Sequence, residues 1–546
     1  MVIDHIRDVY DREGAVEVKR PWLPPLPEKL VSPHCDIRKS GTSDLRIEIG
    51  MRDVPEEQLQ REYVIDLAQQ GNILYIASSG YGKSVFLANA VLNIASKNSV
   101  SRLNFYVIDF GNNALITLSK LPHMAAYIML DDEEKYAKFL DLMQKEIKYR
   151  KKLLASAMAQ NFSVYNETAK EPLRAIVIAI DNYDAIKEMG YEMEQYYTKL
   201  TRDGVGLVIY VIATASQNSA MRTATLNNFK NKIAGVNFDE NEIRLLVGRS
   251  TYTLPDIKGR ALAKTGESTS VMQLYTPVDF EGDADYGKNI QEYVRKIVEA
   301  NPGEEAPHIP ILPDDLNEED FMKYEGDWTE IAIWLDKETV VRSGITKSNS
   351  PFLIFGESGS GKTNVLKVIL GQLEDKGRIY LFDSRSRGMY DFKEKGNYIT
   401  TIEGLEQFAE DISVETKRRQ NFIDQELAEG RPLPEIMEEL EELYVIIDEL
   451  DDFIELAGTT NMPIVAGRMK RASMYGVVFI VTANVNKLKG IDEFTQLLKN
   501  PRNGLLTSSQ GFLTMFPVKQ SEVPQKPDGF LLREGSGHYV RIPLVR

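Results

Sequence analysis

The sequence predicts an α/β protein built as two tandem domains, each a mostly parallel central sheet covered by helices. Three observations predict it. A strand, a glycine-rich loop and a helix follow one another twice in the chain. Around each of these units, short β-rich apolar runs alternate with helical stretches, the pattern of a parallel sheet buried on both faces. And the landmarks of the first half return in the second in the same order at nearly constant distance.

The repeat fixes the organisation. Gly82-Lys83-Ser84 returns as Gly361-Lys362-Thr363, the lysines 279 residues apart. An apolar run ending in aspartate occurs at Ile176 to Asp181 and at Leu443 to Asp448, 267 residues on. Runs ending at Thr214 and Thr482 are 268 apart, and late glycine turns at Gly259 and Gly529 are 270 apart. The lead-ins Pro24-Pro25-Leu26-Pro27 and Pro310-Ile311-Leu312-Pro313 also correspond. A chance loop match does not keep five landmarks in register. A duplicated domain of about 270 residues does, a size one large α/β unit can fill. The polar, proline-containing stretch near residues 299–316 reads as the linker, giving domains at 1–300 and 301–546.

Within each domain the elements follow in order. Asn72 to Ala77 and Pro351 to Phe355 are strands that run straight into the glycine loops. Val85 to Ser96 and Asn364 to Asp375 carry helical apolar spacing. Leu103 to Asp109 and Arg378 to Asp383 are the next strands, followed by long charged amphipathic helices at Glu133 to Ala159 and Glu403 to Glu429.

Composition narrows the function. Of 546 residues, 43% are apolar and 27% charged, ample for more than one core. Acidic residues outnumber basic ones, 81 to 65, for a net charge of −16. That balance disfavours a chain whose main task is gripping nucleic acid. The single cysteine, Cys35, excludes an intramolecular disulfide and a cysteine-rich metal site, and fits a reducing cytoplasmic setting. The longest apolar runs, Gly206 to Ala215 and Val477 to Ala483, are of buried-strand length, well below the ~18 residues that mark a membrane helix.

In the second domain, Gly356-Glu357-Ser358-Gly359-Ser360-Gly361-Lys362-Thr363 fits the P-loop pattern at every fixed position, between a strand and a helix. Glycines let backbone N–H groups turn toward phosphate oxygens, and the helix N-terminus adds partial positive charge there. Gly356, Gly359, Ser360, Gly361, Lys362, Thr363 and Asn364 are therefore the candidate nucleotide contacts. Lys362 is placed for the β- and γ-phosphates of ATP and Thr363 for Mg²⁺. Tyr444-Val445-Ile446-Ile447-Asp448-Glu449 supplies the other half. A buried strand delivers Asp448 to the metal and leaves Glu449 to polarise the attacking water, so Lys362, Asp448 and Glu449 form the catalytic set. The competing reading is that these carboxylates only terminate a strand. Thr482 and Asn484 end the next strand, as γ-phosphate sensors or as satisfied strand-end groups. Arg468 and Arg471 are candidates for an arginine acting on a neighbouring subunit, against the plainer reading of solvated surface arginines.

The first domain reads as worn. Ala77-Ser78-Ser79-Gly80-Tyr81-Gly82-Lys83-Ser84 keeps the later glycines, the lysine and the serine, but Ala77 stands where a leading glycine is expected, and any positive φ there would be strained. Ser79, Gly80, Tyr81, Gly82, Lys83, Ser84 and Val85 are its nucleotide candidates, with Ser84 and Asp181 for the metal. Asn182 follows Asp181 where the second domain has Glu449. Asparagine can hydrogen-bond a water but cannot take its proton, so this domain is expected to bind ATP and turn it over slowly or not at all. Arg202 is its candidate for a neighbouring site.

These motifs resemble the FtsK/SpoIIIE branch of P-loop ATPases, and within it the EssC/EccC ATPases of type VII secretion. The resemblance rests on Trp22 through Pro27, Ile49 through Gln58, Val107 through Gly111, Phe355 through Leu366 and Ile447 to Phe453. It implies two RecA/FtsK-like ATPase domains, the last two of three in a longer protein anchored at the cytoplasmic face of the cell membrane. It implies further that the terminal domain recognises the C-terminal tails of small helical-hairpin, WXG-type secreted proteins, that other components of the secretion machine are partners, and that the chains self-associate into rings. Two alternatives stand beside it. One is an FtsK-type DNA translocase, which the acidic balance weighs against. The other is a nucleotide-gated binding platform with little turnover. Tyr324, Trp328 and Trp334 are candidates for a substrate groove, with core packing as the plainer reading.

Overall fold

The structure is a computed structural model that describes residues 2–12, 23–33, 37, 43–159, 162–169, 172–265, 268–327, 331–373, 378–484, 503–508, 524–533 and 536–545. Trp22, Cys35 and Trp328, and the end of the helix expected at 364–375, lie outside the described residues. The chain divides into two units, Met1–Ile309 and Pro310–Arg546. The earlier part of the stretch expected to be a linker is docked on the first unit: Ala306 N–H donates to Pro122 O and Ile309 N–H to Ala125 O, with both side chains buried; Leu312 and Leu316 pack with Phe321 in the second unit.

In the first unit the strands are β1 (Leu30–Val31), β2 (Arg46–Val54), β3 (Leu59–Asp66), β4 (Ile73–Ile76), β5 (Leu103–Asp109), β6 (Met124–Met129), β7 (Ala175–Asp181), β8 (Ile209–Ala215), β9 (Asn231–Gly235), β10 (Arg260–Thr265) and β11 (Ser268–Thr276). In the second they are β12 (Ile331–Asp336), β13 (Arg342–Ile345), β14 (Phe352–Gly356), β15 (Arg378–Phe382), β16 (Asn397–Ile399), β17 (Leu443–Ile447), β18 (Val477–Ala483), β19 (Asn503–Ser508), β20 (Asp528–Arg533) and β21 (Ser536–Arg541). The first sheet runs β3-β2-β11-β10-β9-β4-β8-β7-β5-β6, with β1 beside β11; the second runs β13-β12-β21-β20-β19-β14-β18-β17-β15-β16. Strand for strand the two orders are the same. From β9 to β6 and from β19 to β16 every neighbour is parallel. The remaining strands of each path add an antiparallel wing.

The parallel half follows from composition. Every residue of β5, β7, β8 and β18 is buried, as strands covered on both faces require. Helices Lys83–Lys97 and Lys362–Gly371 start directly from the glycine loops. Trp334 is 1% exposed and stacks on Phe352, and Tyr324 packs against a small buried cluster around Phe321. Trp334 is a core residue; Tyr324 is partly buried at the edge of its cluster.

The long helices Glu133–Ser156 and Ile402–Ala428 carry one feature the sequence reading passed over. Arg150 and Arg419 are almost fully buried, each bonded to a glutamate one turn earlier, Glu146 and Glu415. Each also donates to carbonyls of the turn just before the third strand of its site: Leu207 and Val208 ahead of β8, Tyr475 and Gly476 ahead of β18. The signal was a glutamate and an arginine four apart in each helix.

Candidate nucleotide sites

Both loops leave the carboxyl end of the strand paired on either side by parallel neighbours, the crevice where ligands bind in open α/β sheets. Gly80 and Gly82 have φ of +85° and +87°, and Gly359 and Gly361 have +80° and +103°, a left-handed backbone glycine adopts freely. Gly356 is needed for a different reason: a Cβ there would lie 2.2 Å from both Ser360 Oγ and Thr507 Oγ1. The first loop resolves the same crowding in reverse. Ala77 is fully buried, and the residue facing it is Gly235, where a Cβ would come within 2.8 Å of the Ala77 Cβ. Strand pairing (Ile76 opposite Ala234, Phe355 opposite Leu506) makes Gly235 the counterpart of Thr507. The pair Gly356/Thr507 has become Ala77/Gly235. Ala77 is not among the positive-φ residues of the described chain, so the strain that a positive φ would have caused there does not arise.

The aspartates differ in their partners. Asp181 receives the Ser84 hydroxyl at 2.6 Å and the Thr214 hydroxyl at 2.5 Å. Asp448 receives Ser384 at 2.7 Å and Thr482 at 3.2 Å. Burial raises both carboxyls above their ordinary pKa, opposed by these hydroxyls. A serine or threonine hydroxyl beside an aspartate is an all-oxygen donor set that suits Mg²⁺. The residue after each aspartate shares one backbone: Asn182 at φ +61° and Glu449 at φ +56°. The amide of each is held by the strand-end threonine, Thr214 or Thr482. Thr482 is thus a fully satisfied hydroxyl, and Asn484 lies just past the end of β18.

The lysines differ most. Lys83 Nζ bonds to Ala77 O at 2.9 Å and Ser216 Oγ at 3.3 Å, and its pKa is lowered chiefly by burial. Lys362 Nζ bonds to Gly356 O at 3.0 Å and Glu357 O at 2.9 Å, and pairs with Glu449 Oε1 at 3.0 Å. The other Glu449 oxygen, Oε2, is buried with no hydrogen-bond partner.

Beside the first loop opens a cavity of about 500 Å³. Ser79, Gly80, Gly82 through Phe86, Asp181 and Asn182 line one side, and Leu274, Tyr275, Phe280 and Tyr286 give it an apolar wall. Tyr81 is turned elsewhere: its hydroxyl donates to Asp256 at 2.6 Å and its ring meets Phe238 edge-on. Ser360 bonds Thr507 beneath its loop. Asn364 is also engaged elsewhere, its side chain tying Pro543 O and Val545 N–H to the start of the helix. Arg202 is exposed and paired with Asp203. Arg468 is half-buried in the last turn of its helix, and Arg471 is exposed just beyond it. The sequence reading missed Gly235 and Thr507, which lie on other strands, and Ser384, in the loop after β15; none carries a motif of its own.

Two parallel-sheet domains with a glycine cradle, a lysine and a strand-end aspartate at the same crevice define a tandem P-loop nucleotide-binding protein. Residues 36–234 match the FtsK/SpoIIIE family. The chain is 31% identical over its whole length to the ESX secretion system protein EccC of Geobacillus thermodenitrificans and, likewise over its whole length, 31% identical to YukB of Bacillus subtilis, spanning 37% of the length of each. It superposes on the structure of EssC ATPases 2 and 3 from G. thermodenitrificans with a TM-score of 0.85 and 30% identity, covering 96% of this chain and 100% of that one. The chain belongs to the FtsK/SpoIIIE family, and its relatives are type VII secretion ATPases.

Proposed function

We propose that this chain is the ATP-binding, energy-coupling part of a type VII secretion ATPase, with hydrolysis at the second site and nucleotide retention at the first. The observation that carries the reading is a chemical difference at one matching position of the two sites: a carboxylate, Glu449, beside Asp448, and an amide, Asn182, beside Asp181. Only the former can accept a proton from water.

At the second site the cradle around Gly359 and Gly361 turns backbone N–H groups toward the phosphates. Asp448 and Thr363 would hold Mg²⁺, which would supply charge neutralisation for the phosphates. Lys362 leaves the Gly356 and Glu357 carbonyls for the γ-phosphate, an anion that outcompetes Glu449. Glu449, released, has a carboxylate free for the attacking water. Thr482 keeps the Glu449 amide fixed during this exchange. At the first site Lys83, Ser84, Asp181 and Thr214 would hold nucleotide and metal, and Tyr275, Phe280 and Tyr286 would offer a face to the base.

By resemblance to its family, the chain acts at the cytoplasmic face of the cell membrane, takes the C-terminal tails of WXG-type helical-hairpin substrates, and assembles with itself and the secretion machine. No helix among the described residues is long and apolar enough to cross a membrane. A second reading, a nucleotide-gated platform with little turnover, is favoured by the Lys362–Glu449 pair, which occupies both groups that hydrolysis needs. Phosphate release with and without a substrate-tail peptide separates the two. Release that rises with peptide and vanishes in Lys362→Ala supports the motor. Peptide binding with no lysine-dependent release leaves the platform.

A further inference from the structure

Behind each site lies a second aspartate that the chemistry above does not use. Asp109 ends β5 and is 1% exposed. Its Oδ1 accepts the Gly111 amide at 3.0 Å, and its Oδ2 accepts the Leu115 amide at 3.2 Å and the Tyr127 hydroxyl at 2.7 Å. The second domain repeats the arrangement. Asp383 follows β15, accepts the Met389 amide at 3.2 Å, and receives the Tyr398 hydroxyl at 2.5 Å. The bonded amide lies six residues beyond the aspartate in both. The register agrees as well: Tyr127 pairs with Val107 and Tyr398 with Leu381, each two residues before its aspartate.

What the aspartate cinches is the loop against the metal edge. A Cβ at Gly111 would lie 3.5 Å from Asp181 Oδ2, and the Phe110 amide bonds Asp181 O. A Cβ at Gly388 would lie 2.9 Å from Thr363 Cγ2, and Ser384 of the same loop bonds Asp448. The loop residues differ between domains (Phe110 to Ala114 against Ser384 to Gly388), while the aspartate, tyrosine and amide persist. A core that needed only packing would have no reason to keep this hydroxyl–carboxylate bond, buried in the first domain and part-buried in the second, in both copies, since a phenylalanine fills the same volume without a polar group to satisfy.

Resting on the nucleotide reading above, we propose that Tyr127 and Tyr398 are positioning residues for the metal edge, each fixing its aspartate so that the following loop sets the metal-binding aspartate and the P-loop hydroxyl. They touch neither nucleotide nor metal. Ring burial and the neighbouring carboxylate push the Tyr398 hydroxyl up to about 12, so it remains a donor at any working pH.

The test is Mg²⁺-dependent binding of a fluorescent ADP analogue. Tyr398→Phe is read in a Lys83→Ala background, so that only the second site reports, and Tyr127→Phe in a Lys362→Ala background. Affinity without Mg²⁺ stays within about twofold of the parent. The Mg²⁺ concentration for half-maximal tightening rises roughly tenfold, the scale of losing a partner that orients a metal ligand. A lowered melting temperature with an unmoved Mg²⁺ titration means that the tyrosines are structural only and overturns the proposal. Parent proteins that bind no ADP analogue in either background would instead end the nucleotide reading itself.

Discussion

The two domains share a strand order, a backbone at the key position and a threonine that holds it, yet they hold their lysines in opposite states. In the first, Lys83 rests on a carbonyl and a hydroxyl, Ser84 already touches Asp181, and a cavity stands beside the loop. In the second, Lys362 is tied to Glu449, the carboxylate proposed above to take the water's proton, and Asp448 is held by Ser384. The domain lacking the base has the assembled cradle. On the proposed reading, the domain with the carboxylate after its aspartate has a lysine that must be released before it can reach phosphate. An ion pair with a buried lysine is costly to leave half-made, so on the proposed reading the Lys362–Glu449 contact competes with phosphate for the lysine.

The largest effects fall on that pair. Glu449→Gln should abolish turnover by roughly 10²–10³-fold, comparable to removing one essential transition-state group. It should also tighten binding of a non-hydrolysable ATP analogue at the second site, because Lys362 no longer has an anionic partner. Unchanged analogue affinity in isothermal titration would show that the pair does not compete.

Next in size are the buried arginines. Arg419→Ala removes one partner of a buried pair and frees the turn before β18, at a cost of about 3–5 kcal/mol in denaturant unfolding. The pH dependence of this feature has a definite sign. The Arg418 guanidinium, and with it Arg419, holds Glu415 down to about 2. A carboxylate with a depressed native pKa stabilises fully above its ordinary value of 4.5 and loses that contribution as pH falls toward about 2. Glu415→Gln should flatten this acid limb, with a difference of roughly 2 kcal/mol near neutrality.

A smaller effect tests the exchange of crowding between the loops. Gly235→Ala places a methyl 2.8 Å from Ala77 Cβ and 2.4 Å from Tyr75 Oη, an overpacking cost of about 1–3 kcal/mol. Adding Ala77→Gly should recover part of that loss; simple additivity of the two changes would count against a coupled pair. The smallest change sharpens the comparison. Asn182→Glu, at a position whose backbone already matches that of Glu449, should give weak phosphate release from the first site in a Lys362→Ala background. Release indistinguishable from the Lys362→Ala parent would mean that more than the missing carboxylate separates the domains.

Much of this was legible before any coordinates. The repeat spacing reported the duplication because strand, loop and helix lengths are set by one fold used twice. Both P-loops and both strand-end aspartates were found because their residues are close in sequence and carry a fixed pattern. The antiparallel wing was missed: its strands, such as Arg46–Val54 and Leu59–Asp66, are partly exposed and alternate weakly. Ala77 was read as damage because its compensating partner, Gly235, lies 158 residues away.

By itself, then, the sequence determined which chemical groups each site owns: an acid after Asp448 and none after Asp181, a lysine and a hydroxyl in both. Those are covalent facts, and local periodicity places them at the ends of buried strands. Only the tertiary structure decided what the groups touch. That Lys362 faces Glu449, that Asp448 is held by Ser384, and that a tyrosine one strand over braces each loop are consequences of parallel pairing between strands distant in the chain. Hydrogen bonds act over about 3 Å, and sequence order does not encode separations of that size between residues so far apart along the backbone.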